Sequence, residues 1–118
     1  MTKNLDNDGL RSIVENYDIF YIDLWGVVHN GITLHKNAIE ALDEITKANK
    51  DYVLLTNAPR PNKTVNNFLE KLGMNKEIRE KVYSSGEAAL NYLRKNSLEK
   101  KFYHLGPPRD FDLFLDFK

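Results

Sequence analysis

The chain contains no cysteine. Disulfides and thiolate metal sites are thereby excluded, and a reducing cytoplasm is the expected location. Neither sign of charge is in excess: Lys and Arg number 17, and so do Asp and Glu. A dedicated binder of nucleic acid or of an anionic membrane needs a basic face, and the basic runs are as short as Lys100-Lys101. Neither nucleic acid nor membrane is therefore an expected partner. No apolar run approaches the roughly eighteen residues that a spanning helix requires. The amino-terminal stretch carries Asp6, Asp8, Glu15 and Asp18 instead of an apolar signal segment. There is no internal repeat and no low-complexity segment. Histidine is scarce as well. His29, His35 and His104 are scattered, so a histidine-based metal site is not expected.

What remains is ordinary globular composition. The chain has 118 residues, 42% apolar and 29% charged, room for one domain or part of a larger one. Asp8 is placed to cap a short helix that carries Leu10, Ile13, Val14 and Tyr17 on one face. Asp18 to Asp23 reads as a strand, and its continuous apolar run suits burial on both faces of a parallel sheet. Residues 24–35 read as a loop with Gly26, Asn30 and Gly31. Asn37 to Ala48 reads as a helix with Ala38, Ala41, Leu42, Ile45 and Ala48 on one stripe.

Tyr52 to Leu55 is a second apolar run, ending at Thr56-Asn57. Pro61 suits the first position of the next helix, and Gly73 suits its carboxyl-terminal cap. Lys81 to Ser84 reads as a third strand. Ser84 with Glu87 forms a capping box for a helix carrying Ala88, Ala89, Tyr92 and Leu93. Lys101 to Leu105 reads as a fourth strand, ended by "GPP". Strands alternating with helices imply an α/β fold, a Rossmann-like parallel sheet flanked by helices. Ligands in such sheets bind beyond the carboxyl ends of the strands, where Asp23, Thr56 and Ser84 fall.

An aspartate at a strand end is most often a turn former. Here Gly26 allows close backbone approach, and Thr56 adds a hydroxyl followed by the amides of "TNA". A carboxylate, a hydroxyl and free amides around one point suit a phosphoryl group held with a divalent cation.

"YIDLWGVVHNG" followed by "VLLTNAPRP" resembles the haloacid dehalogenase-like (HAD) hydrolases, and within them the class IIA, NagD-like phosphatases. "VYSSGEAALNYL" and "KKFYHLGPPRD" resemble the segment where those proteins leave the core sheet for an α/β cap. The resemblance implies residues 1–86 as the amino-terminal part of a core and 87–118 as the start of a cap. It implies Asp23 as nucleophile and Mg²⁺ ligand, and the Trp25 backbone carbonyl as a second Mg²⁺ contact. It implies Thr56, Asn57 and Gly26 as the phosphate-binding residues, with a small phosphorylated metabolite as substrate.

Two departures accompany it. The acid–base aspartate that the family places two positions after the nucleophile is Trp25 here, and general acid–base help is worth about 10²–10⁴-fold. His29 is the candidate replacement by residue type. The family's later lysine and acidic metal-binding pair have no counterpart after Leu105, so this chain alone is expected to be a weak catalyst or none. A non-catalytic remnant or interaction module is the rival reading. Dehalogenase-type hydrolysis is a lesser one, because dehalogenases of the family place an aromatic where Trp25 stands. Phe111, Leu113, Phe114, Leu115 and Phe117 form an apolar tail expected to bury against further structure or a partner. That tail and an open sheet edge suit self-association.

The plainer readings are a packing role for Trp25, solvation for Arg60 and helix capping for Ser84 and Ser85. The sharper ones are substrate stacking by Trp25 and a substrate anion for Arg60.

Overall fold

The computed structural model describes residues 4–96 and 99–117. Three strands, β1 (Ile19–Asp23), β2 (Asp51–Thr56) and β3 (Val82–Ser84), form a parallel sheet in the order β1-β2-β3. Helix α1 (Lys36–Lys47) joins β1 to β2. Helices α2 (Asn62–Lys71) and α3 (Lys76–Arg79) join β2 to β3, and α4 (Ser85–Asn96) follows β3 directly. The register sets Asp23 beside Leu55, and Thr56 beside Ser84. The expected α/β class and parallel sheet are both present.

Alternation along the strands decides which residues meet the helices. Tyr52 and Leu54 of β2 and Val82 of β3 are buried together with Leu42 and Ile45 of α1 and Leu69 of α2. Phe20 and Ile22 of β1 pack against this cluster. The opposite face is open: Ile19 is 44% exposed and Tyr21 69%. β1 is thus buried on one face, where its continuous apolar run suggested two. No described helix covers the second face, and the run fixes strand formation without fixing what lies above it.

Three other expectations are corrected. The amino-terminal helix is replaced by two 3-10 turns, Leu10–Ser12 and Val14–Asn16. Gly9, with φ of 67°, enters the first turn, and no side chain caps it. Pro61 is the residue before α2 and not its first, and its carbonyl accepts the Thr64 and Val65 N–H groups. Short α3 was not foreseen, being a single turn. Lys101 to Leu105 forms no strand, and Tyr103 (88%) and Leu105 (86%) are exposed. An extended segment becomes a strand only with a ladder partner, and none lies beside it among the described residues. The cap at Gly73 forms as expected, with φ of 86° and its N–H on the Glu70 carbonyl.

α4 also presents a different face from the one expected. Gly86 and Leu90 are its buried positions, while Ala88, Ala89 and Tyr92 are exposed. Close packing of Gly86 on the backbone of Arg60 fixes the rotation of the helix about its axis. The tail packs largely on itself. Phe102 meets Phe117 edge-on at 5.1 Å, and His104 lies between Phe111 and Phe114, each at 4.9 Å. Leu115 stays 71% exposed. No helix among the described residues is long and apolar enough to cross a membrane.

Candidate active site

β1 ends on Asp23, and the chain turns at once. The Leu24 carbonyl accepts the Val28 N–H at 2.8 Å, and the Gly26 N–H reaches the His29 carbonyl at 2.7 Å. Gly26 has φ of 80°, a conformation that side-chain-bearing residues rarely adopt, although a Cβ there would meet nothing. Its N–H is engaged within the turn, so Gly26 contributes the shape of the loop. Leu24 and Val28 are buried and anchor it. Asp23 itself is exposed, with no side-chain hydrogen bond among the described residues.

β2 delivers Thr56 next door. Its Oγ1 accepts the Ala58 N–H at 3.3 Å, which leaves the hydroxyl proton free to donate. Asp23, Thr56 and exposed Asn57 line one open crevice of about 560 Å³ with Tyr21, Leu55 and Tyr83. The structure therefore brings three of the expected site residues together at the carboxyl ends of adjacent parallel strands.

A second crevice, of about 430 Å³, shares Thr56 and adds Trp25, His29, Arg60, Phe68 and Arg109. Trp25 is 65% exposed, so it is no core residue. The indole lies over Gly31, where an added Cβ would come within 3.5 Å of Nε1.

His29 is buried, 4% exposed, edge-on to Phe68 at 5.5 Å. Its Nδ1 accepts the Gly31 N–H at 2.9 Å, which assigns the neutral ring proton to Nε2. Burial, reinforced by nearby His35, lowers its proton affinity despite the opposing pull of Asp23. The group is therefore a poor stand-in for the missing acid. Because its folded pKa lies below the usual 6.5, the unfolded chain binds the proton more tightly. Its contribution to stability is complete above the unfolded pKa and is lost as pH falls below it. We expect His29→Gln to reduce the fall in urea-unfolding free energy between about pH 7 and pH 5. An unchanged slope would contradict this.

The loop after Thr56 is pinned to the β3–α4 junction. Ser84 Oγ donates to the Arg60 carbonyl at 2.5 Å, Ser85 Oγ to the Ala58 carbonyl at 3.0 Å, and the Gly86 N–H to that same carbonyl at 3.1 Å. Asn62 Oδ1 accepts the Ser84 N–H at 2.9 Å, and the Asn62 N–H donates to Glu87 Oε2 at 2.9 Å. Ser84 Oγ also accepts the Glu87 N–H at 3.0 Å, so half of the expected capping box is present. The other half is redirected, since the Glu87 carboxylate caps the start of α2. Buried Ser84 thus holds the site loop from beneath and does not face the crevice with a free hydroxyl.

Arg60 is no solvated loop residue. Its Nη2 donates to Asp112 Oδ2 at 3.0 Å, and Thr64 Oγ1 donates to the same oxygen at 2.5 Å. Burial favours the protonated form of Asp112, but the bonds from Thr64 and Arg60 outweigh it and hold the carboxyl below its usual range. Sequence reading missed this pairing. The two residues stand 52 positions apart, with no local signal.

For Mg²⁺, the donors on offer are the Asp23 carboxylate and the Trp25 carbonyl. The former is exposed and unpaired, and the latter accepts no backbone hydrogen bond among the described residues. Two hard oxygen donors fit a cation that keeps several waters and binds through one or two carboxylates plus a substrate phosphate. No group of three or more His, Cys, Asp or Glu residues is placed to hold a metal ion among the described residues.

Comparison with known proteins agrees with the fold. The model of the haloacid dehalogenase-like hydrolase family matches residues 20–116. Phosphoglycolate phosphatase 2 of Arabidopsis thaliana is 31% identical over 107 residues, covering 86% of this chain and 35% of that protein. A crystal structure of a haloacid dehalogenase-like hydrolase from Brucella suis 1330 superposes with a TM-score of 0.78 at 30% identity, covering 92% of this chain and 40% of the other. NagD from E. coli shares the fold, with a TM-score of 0.64 at 22% identity over 86% of this chain and 41% of that one. The chain spans about a third of the length of its curated relative. With the family match running from β1 through the tail, the chain belongs to the haloacid dehalogenase-like hydrolases.

Proposed function

We propose that the protein acts as a phosphatase on a small phosphate monoester, with Asp23 as nucleophile. The observation that carries this reading is the convergence of the Asp23 carboxylate and the Thr56 hydroxyl on one crevice from neighbouring strands. Asp23 attacks phosphorus in line, the ester oxygen leaves, and an aspartyl-phosphate forms that water then hydrolyses. The Thr56 hydroxyl donates to a phosphoryl oxygen as negative charge shifts during transfer. The Asn57 backbone stands beside it. Mg²⁺, held by Asp23 and the Trp25 carbonyl, would neutralise phosphoryl charge when bound. The name of the Arabidopsis relative supports a phosphatase over other hydrolases. In this reading residues 1–86 contribute to the core, and 87–118 begin a cap.

Trp25 has no transferable proton at carboxylate strength, so leaving groups that depart unprotonated should be preferred. The test is a comparison of acetyl phosphate with glycerol phosphate as Mg²⁺-dependent substrates. We expect faster phosphate release from the acyl phosphate, and Trp25→Asp should raise the rate on the alkyl phosphate by about 10²-fold. Equal rates for the two substrates in the parent protein would contradict this use of Trp25. Absence of turnover with either would favour a non-catalytic role.

A further inference from the structure

Asn30-Gly31 is the only Asn-Gly pair in the chain. Asparagine before glycine is the pair most prone to lose its side-chain amide. Nothing on the glycine hinders attack by its backbone nitrogen on the asparagine side-chain carbonyl. Whether the attack occurs in a folded protein depends on how the loop holds the two groups.

Here the loop holds both. Asn30 Oδ1 accepts the Ile32 N–H at 2.9 Å and the Thr33 N–H at 2.8 Å, with the Thr33 hydroxyl at 3.4 Å. The ring closed by the Ile32 bond passes through the Gly31 nitrogen, which keeps Asn30 Cγ close to it. Two amide donors on Oδ1 also draw charge from Cγ. They are in place for the negative charge that attack would put on that oxygen. The Gly31 N–H in turn donates to Nδ1 of His29 at 2.9 Å. A lone pair on that hydrogen makes the nitrogen a better nucleophile. Asn30 is exposed, and its Nδ2 has no hydrogen-bond partner among the described residues, so the leaving nitrogen is open to solvent.

We propose that Asn30 is a modification site at which the protein deamidates itself to aspartate and isoaspartate, and that the product reshapes the loop beneath Trp25. The Gly31 nitrogen forms a bond to Asn30 Cγ, and the bond from Cγ to Nδ2 breaks. The Gly31 proton passes through His29 Nδ1 and solvent to Nδ2, which leaves as ammonia. Water opens the cyclic imide at one or the other carbonyl, giving aspartate or isoaspartate. Water is the only co-reactant. Either product adds a carboxylate to the loop that starts at Asp23, and isoaspartate adds a carbon to the backbone between His29 and Gly31. The Trp25 indole lies over Gly31, and the Gly26 N–H is bonded to the His29 carbonyl. A shift of this peptide therefore reaches Trp25 at the mouth of the second crevice.

The test is incubation of the full chain at neutral pH and physiological temperature, both folded and in urea. Peptide mass mapping and enzymatic methyl labelling of isoaspartate follow the change. We expect amide-to-acid conversion at residue 30, at least as fast in the folded protein as in urea, with the other asparagines unmodified over the same period. Trp25 is the single tryptophan, so its emission should change in step with the mass. His29→Gln should slow the reaction about tenfold in the folded protein and leave the rate in urea unchanged. The comparison of folded and urea-treated parent protein stands even where that variant fails to fold. Deamidation in urea with protection of Asn30 in the folded protein would overturn the proposal. An unchanged rate in folded His29→Gln would overturn the role of His29. Modification with no change in Trp25 emission would overturn the coupling to the site loop.

Discussion

Asp23→Asn is expected to abolish Mg²⁺-dependent phosphate release from an acyl phosphate while leaving the fold untouched. The loss should reach about 10³-fold or more, because the substituted amide retains the shape of the carboxylate but has no anionic oxygen to attack phosphorus. Stability should change by less than about 0.5 kcal/mol, since Asp23 is exposed and makes no side-chain hydrogen bond among the described residues. Turnover and urea unfolding measured on the same preparation separate the two effects. Thr56→Ala provides the graded comparison. It removes one donor to the phosphoryl group, and a smaller loss of about 10²-fold is expected. An Asp23→Asn protein that kept its activity would move the nucleophile elsewhere.

Gly86→Ala should have the largest structural effect of any single methyl group added near the site. A Cβ at Gly86 would stand 2.4 Å from the Arg60 nitrogen, 2.5 Å from its oxygen and 2.6 Å from its carbonyl carbon. These are backbone atoms, held by the Ser84 hydroxyl on the Arg60 carbonyl and by the Gly86 N–H on the Ala58 carbonyl. No side chain can rotate away, so the 57–61 loop or α4 must retreat. Overpacking of this kind costs about 1–3 kcal/mol. Replacing a helical glycine with alanine returns up to about 1 kcal/mol through the unfolded chain and helix propensity. The net expectation is a loss of about 1 kcal/mol in urea unfolding, with displaced amide resonances at Asn57 and Ala58. A stabilised Gly86→Ala protein would show that the contact between α4 and the site loop is looser than described.

The parts of the molecule that sequence reading reached are those written in local chemistry. β1 and β2 announce themselves as apolar runs, each followed by a polar residue at the mouth of the sheet. Gly73 marks the end of α2 because only a residue tolerant of positive φ serves there well. Asp23 and Thr56 were legible for the same reason, since a parallel sheet sends its strand ends to one side. Residues whose role depends on distant partners were not legible. The run at 101–105 has strand-forming residues, yet a strand needs a neighbour, and the sequence does not say where one lies. His29 looked like an available acid until its burial beside Phe68 was known. Asp112 carried no signal at all for Arg60, because the turn that unites them is tertiary.

The same distinction explains Gly86 and Ser84. In sequence they form the start of a capped helix, and in the structure they also fasten the loop that carries Asn57 and Ala58. Side-chain hydrogen bonds from a helix start to a loop more than twenty residues away follow from the crossover of α2, not from any local pattern.

The central claim is that Asp23 receives the phosphoryl group, and its chemistry allows a direct measurement. An aspartyl-phosphate is an acyl phosphate, which borohydride reduces to homoserine, whereas a free carboxylate resists reduction. The protein is incubated with acetyl phosphate and Mg²⁺, quenched, reduced, and mapped by peptide mass spectrometry. The account predicts homoserine at position 23, dependent on Mg²⁺ and absent from the Asp23→Asn protein. Homoserine at another aspartate, with position 23 unmodified, would contradict it.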